Sequence, residues 1–137
     1  MVREVSANYT EMNIDYTFYD TNGKHLGLGG NANSFRKNGQ GGGACCAWLP
    51  GPGQTVRVVW DEEPLHQDSG TTVHYSRDVV VTGSPPLTGD AYNYVITRFF
   101  PDHQIEVEFI SEQMGAGRSS RLDRIFHGQP VMRHMGE

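Results

Sequence analysis

Three segments of this chain alternate apolar and polar residues with a period of two. Met12 to Asp20 sets Met12, Ile14, Tyr16 and Phe18 against Asn13, Asp15, Thr17 and Tyr19. Thr55 to Trp60 puts Val56, Val58 and Trp60 on one face, with Val59 supporting the other. Ile105 to Ile110 sets Ile105, Val107 and Phe109 against Glu106 and Glu108. Only an extended backbone sends successive side chains to opposite sides, so each segment reads as a strand with one buried face.

The connections suit the same reading. Asn22-Gly23 follows the first strand, and both residues tolerate the positive φ of a two-residue hairpin turn, which predicts a return strand from Lys24 to Leu28. Pro101-Asp102-His103-Gln104 joins Tyr92–Phe100 to Ile105–Ile110, with proline where a type I turn accepts it. Short strands are expected at Glu4 to Tyr9 and Ala44 to Leu49, and strand character resumes from Thr71 to Thr82. The Gly, Asn, Ser and Gln-rich stretch from Gly29 to Gly43 reads as a long loop. Ser120 with Asp123 three residues on resembles a capping box, and Leu122, Ile125 and Phe126 share a helical face, predicting one short helix that ends before Gly128.

With 137 residues, 36% apolar and 20% charged, the chain fits one β-rich domain spanning 1–137, large enough to bury roughly two-thirds of its unfolded surface. The expected fold is mainly β: a small antiparallel β-sandwich or open barrel of about seven strands with one short C-terminal helix. Net charge is −5, and the eleven Lys and Arg residues are scattered. That disfavours a nucleic-acid ligand, which requires a basic footprint.

Gly39 to Trp60 holds both cysteines, both tryptophans and six of the seventeen glycines. Cys45 and Cys46 lack the spaced partners that zinc needs, and on a strand they would point to opposite faces, so they read as packing residues. A bridge between the two is the one intrachain disulfide available. Trp48 and Trp60 are assigned with them to the framework. Trp48, Trp60, Tyr75, Tyr92 and Tyr94 could alternatively line a sugar platform. Gly27-Leu28-Gly29-Gly30-Asn31-Ala32 matches a dinucleotide fingerprint in spacing but is followed by no helix pattern. No serine lies in a hydrolase elbow and no histidine pair has protease spacing, so no catalytic residue, metal ligand or cofactor is assigned. The densest acid and imidazole grouping is Asp61, Glu62, Glu63, His66 and Asp68, read as a loop after Trp60 that meets a basic protein surface.

The run Gly41-Gly42-Gly43, Cys45-Cys46, Leu49-Pro50 and Pro52-Gly53-Gln54-Thr55-Val56-Arg57-Val58-Val59-Trp60 resembles a bacterial family of uncharacterised lipoproteins. These are often encoded beside phospholipase effectors of the type VI secretion system. The resemblance implies a non-enzymatic immunity protein: periplasmic, held at the membrane by an N-terminal lipid anchor absent from this chain, and binding a cognate phospholipase effector. The missing lipobox cysteine and export segment are read as removed. The alternative expectation is a periplasmic β-sandwich module for glycan or lipid.

Overall fold

A computed structural model describes residues 2–49, 51–64, 72–115 and 117–137. The described residues form nine strands: β1 (Val2–Asn8), β2 (Met12–Tyr19), β3 (His25–Ala32), β4 (Gln40–Ala47), β5 (Thr55–Pro64), β6 (Val73–Val80), β7 (Thr82–Gly83), β8 (Ala91–Phe100) and β9 (Gln104–Gln113). All belong to one sheet in the order β6-β5-β2-β3-β4-β1-β8-β9-β7. The strand count exceeds the expected seven. Most neighbours are antiparallel, but β1–β8 and β7–β9 are parallel, so the sheet is mixed.

The two outermost strands of this order, β6 and β7, are consecutive in the chain with Val81 alone between them. One extended segment therefore pairs with β5 along its length and with β9 at its end, where Thr82 faces Glu108 and Gly83 faces Phe109. That change of partner curls the sheet into a nearly closed, barrel-like shape. Closure removes most of the exposed backbone that an edge strand presents.

The inward face carries the period-two residues read from the sequence. Ile14, Tyr16 and Phe18 of β2 meet Val56, Val58 and Trp60 of β5, with Val95 and Phe99 of β8 and Ile105, Val107 and Phe109 of β9 opposite. The inner face of β1 is polar. Tyr16 Oη donates to Glu4 Oε2, and Thr97 Oγ1 donates to Glu4 Oε1 over 2.7 Å. Burial pushes the Glu4 carboxyl up to about 8 against the lowering effect of those two hydrogen bonds.

Glycine explains the largest departure from expectation, at Gly29 to Gly43. Its two ends are strands β3 and β4, and only 33–39 is a connection. A Cβ at Gly41 would lie 1.8 Å from the Asn31 carbonyl oxygen, and one at Gly43 would lie 1.6 Å from that of Gly29. The two backbones approach closer than any side chain permits, and glycines that allow this contact carry no apolar period to reveal a strand. Gly27 to Ala32, the fingerprint-like run, is part of β3.

The outer faces of β1, β8 and β9 hold a second apolar layer of Ala7, Ile96, Phe100 and Ile110, covered by Ile125 with Leu122 and Phe126 from the C-terminal segment. That segment forms a four-residue 3-10 turn, Arg124–His127, in place of the expected helix from Ser120. It stops at Gly128 as expected, in the left-handed conformation at φ 74°. Asp123 occupies the N-cap position but makes no capping hydrogen bond. Its carboxylate instead accepts from Arg98 Nε at 2.7 Å and from the Tyr9 hydroxyl, which fixes the segment to the sheet and leaves the helix without its start. Arg98 is fully buried and also donates to Glu108 Oε1 at 2.7 Å. Burial alone would raise the Glu108 carboxyl, but Arg121 and Arg98 outweigh it and hold it below the usual range.

A candidate interaction surface at the barrel rim

The acidic residues expected on a loop after Trp60 continue strand β5, which runs to Pro64. Pairing with β2 on one side, through Asp61 with Asp15 and Glu63 with Asn13, and with β6 on the other, through Asp61 with His74, keeps the backbone extended past the apolar run. Alternation then separates the three acids. Asp61 pairs on the outer wall with the His74 ring, and Glu63 is exposed. Glu62 turns inward and is buried. His66 and Asp68 lie outside the described residues.

Glu62 organises the rim. Its Oε1 accepts from Trp60 Nε1 at 3.2 Å and lies 3.1 Å from His103 Nδ1. The His103 ring stacks on Tyr75 with centroids 4.0 Å apart, and Tyr75 stacks on Trp60 at 5.6 Å. Trp60, Tyr75 and His103 thus form a continuous stack from the core to the surface. The stack bridges β6 and the β8–β9 turn, which no strand pairing joins. Asp102 and His103 both have positive φ, 64° and 59°, so the turn is of the mirror-image hairpin kind and not type I. Such backbone costs of order 1–3 kcal/mol per residue and persists where surrounding contacts over-determine it. Here those contacts are the Glu62 hydrogen bond and the Tyr75 stack.

Beside this stack opens a cleft of about 410 Å³. Its floor is apolar: Met12, Phe35, Phe100 and Met132. Its margin carries Glu11, Glu62 and Asp102, with Arg36 donating to Glu11 Oε1 at 2.7 Å in an exposed pair. Connection 33–39 is held in place by hydrogen bonds to the β1–β2 turn: Phe35 N donates to the Thr10 carbonyl at 2.9 Å, and Asn8 Nδ2 to that of Asn33 at 3.1 Å. The lining hydroxyls are committed elsewhere, Tyr9 to Asp123 and Thr10 Oγ1 to Asn8 Oδ1 at 2.8 Å. The cleft therefore offers apolar contact and negative charge on a braced frame.

The framework residues divide. Trp60 is buried, whereas Trp48 is 77% exposed and contributes nothing to the core. Cys45 and Cys46 do not pack on opposite faces. Both are exposed and joined to each other as a disulfide across a cis peptide bond. The register explains this: Val2 faces Ala47 and Arg3 faces Cys45, leaving Cys46 as the extra residue of a bulge, where alternation fails. The five aromatic residues of the possible sugar platform do not come together: apart from the exposed Trp48, they fall into two groups. Trp60 and Tyr75 stack at the rim, while Tyr92 and Tyr94 begin β8 at the far end. Of the rim residues, Tyr75 was considered only as part of the sugar platform, and His103, Met12 and Phe35 were not singled out as site residues. Their one sequence signal was an Asp-His pair, both tolerant of positive φ, between two well-marked strands.

Comparison with curated proteins and with solved structures returns no match. A family model described as "Protein of unknown function (DUF3304)" matches residues 7–107. The match takes in the last two residues of β1, the rim connections and the β8–β9 turn, and ends within β9, before the C-terminal segment. Covering more than half of the chain, it identifies this protein as a member of the DUF3304 family.

Proposed function

We propose that this protein is an immunity protein: a non-catalytic inhibitor that binds a cognate type VI secretion phospholipase effector in the periplasm. The observation that carries the reading is the braced cleft at the rim, where an apolar floor is edged by Glu11, Glu62 and Asp102. Inhibitors work through preorganised surfaces, since ordering a loop on binding costs affinity. An apolar floor with an acidic margin accepts an apolar anchor flanked by basic residues, and the margin speeds encounter with a basic surface. Asp61 and Glu63, on the outer face of β5, are assigned with His66 and Asp68 to the same contact beside the cleft. The resemblance of the Gly41 to Trp60 run supplies the partner class, the periplasmic location and the lipid anchor.

Co-purification with a candidate cognate phospholipase effector, followed by a lipase assay, tests the reading. Stoichiometric loss of lipase activity is expected. Undiminished activity at saturating protein overturns it.

A second reading, a glycan-binding module, draws on the exposure of Trp48. Glycan-array signal abolished by Trp48→Ala in a folded protein is its expected signature.

A further inference from the structure

A second groove, of about 420 Å³, lies on the outer face of the sheet where β1, β8 and the C-terminal segment meet. Its apolar surface comes from Val5, Tyr92, Tyr94, Leu122 and Phe126. Tyr92 is 58% exposed. Strand parity produces this floor: Arg3 faces Tyr94 across the parallel β1–β8 pair, so Arg3, Val5, Tyr92 and Tyr94 all project outward.

Arg3 and Arg118 line the groove, and neither has a carboxylate within salt-bridge distance among the described residues. Five other arginines, Arg36, Arg57, Arg98, Arg121 and Arg133, are paired with acids. Arg118 Nη1 lies 3.5 Å from the His127 ring nitrogen Nδ1. Two unneutralised guanidinium groups beside one apolar groove, in a chain of net charge −5, make a local inversion of the protein's own charge. Glu112 is the one acid of the lining, and it is engaged by the Ser119 backbone N–H and the Tyr94 phenol.

The groove also selects against a peptide. An extended peptide needs main-chain partners, usually a free strand edge. Here β1 is paired on both sides, with β4 and β8, and β8 is paired with β1 and β9. Asn93 Oδ1, another polar group of the lining, accepts from Ser111 Oγ at 2.6 Å. The ligand that fits has an apolar body requiring few hydrogen bonds and an anionic head for a planar guanidinium fork. We propose that this groove binds a single-chain anionic amphiphile, a long-chain fatty carboxylate, with its chain along Tyr92, Tyr94 and Phe126 and its head between Arg3 and Arg118. The proposal narrows the lipid-module alternative to one place and one ligand class. It stands whether or not the rim binds an effector.

The test titrates the protein with dodecanoate below its micelle-forming concentration, by calorimetry and by amide chemical shifts. Dodecyltrimethylammonium is the charge-reversed probe. Expected are saturable one-to-one dodecanoate binding, shift changes centred on Val5, Tyr92 and Phe126, and weaker binding of the cation. Arg3→Ala with Arg118→Ala should weaken dodecanoate binding by roughly tenfold for each guanidinium lost. Lys24→Ala with Arg77→Ala removes the same charge elsewhere and should leave it unchanged. All four side chains are exposed, so folding is expected to survive, and circular dichroism checks it. Four outcomes overturn the proposal: no saturable binding, equal binding of the cation, arginine variants that bind as wild type, or shifts centred elsewhere. Binding to anionic vesicles without binding of monomeric dodecanoate assigns the face to a membrane surface. Concentration-dependent dimerisation abolished by Tyr92→Ala assigns it to a second copy of the chain. Either result also overturns the proposal.

Discussion

Replacing Glu4 by Gln should make this protein more stable, although it removes a hydrogen-bonded side chain from the barrel interior. Glu4 is almost wholly buried and accepts from the Tyr16 and Thr97 hydroxyls, with no cation paired to it among the described residues to repay the loss of water. Its carboxyl titrates near 8 in the folded protein against an ordinary 4.5. The folded state therefore holds a proton that the unfolded state releases, and stability falls as pH rises between those values. The contribution is fully present below pH 4.5 and is lost by about pH 8. At pH 7, where the unfolded carboxylate is ionised, keeping Glu4 protonated costs about 3 kcal/mol. Gln fills the same volume without that cost. It should raise the unfolding free energy at pH 7 by about 2–3 kcal/mol, on the order of 10 °C in Tm. Urea unfolding of both proteins at intervals from pH 5 to pH 9 reads this directly, since other titrating groups cancel in the difference. The gap should widen with pH and level off above pH 8. A gap independent of pH, or one that narrows as pH rises, would refute the assignment of a buried neutral carboxyl.

Other substitutions test separate parts of the account. Arg98→Met strands Asp123 and Glu108 without their buried partner and should cost about 3–5 kcal/mol by urea unfolding. Gly43→Ala should prevent close pairing of β3 and β4 and leave little folded protein, because its Cβ would overlap the Gly29 carbonyl. Gly51→Ala, with nothing within 4 Å of the new atom, should change stability by less than about 0.5 kcal/mol. Ile125→Ala should destabilise by about 2–5 kcal/mol through the cavity it leaves under the C-terminal segment. Its amide exchange should rise most in 117–137, and uniform acceleration would contradict an independent role for that segment.

The strands that half-bury themselves were legible because alternation writes their geometry into residue order: β2, β5 and β9 lie where Ile14, Val58 and Val107 pointed. Strands β3 and β4 were hidden because close backbone contact selects glycine, the residue with no face to read. The acids after Trp60 looked like a loop because Asp and Glu disfavour strands. Two flanking strands and the hydrogen bond between Asp61 and His74 override that preference. The capping box expected from Ser120 and Asp123 does not form: Asp123 itself takes the N-cap position, and a distant buried arginine takes its carboxylate. The rim stack was illegible for a general reason: Trp60, Tyr75 and His103 come from three separate strands or turns, and only closure of the sheet brings them together.

The inhibitory role proposed for the rim is tested most directly by titrating the proposed phospholipase effector with wild-type protein and with Phe35→Asp. Phe35 lies on the cleft floor and is only partly buried, so the fold should survive the change, which unfolding curves verify. The account predicts that wild-type protein abolishes lipase activity at one equivalent and that the variant needs at least a tenfold excess, since a new charge on the floor must be desolvated to bind. Full inhibition by the variant at one equivalent would contradict the placement of the contact at the rim. Undiminished lipase activity with saturating wild-type protein would contradict the inhibitory function itself.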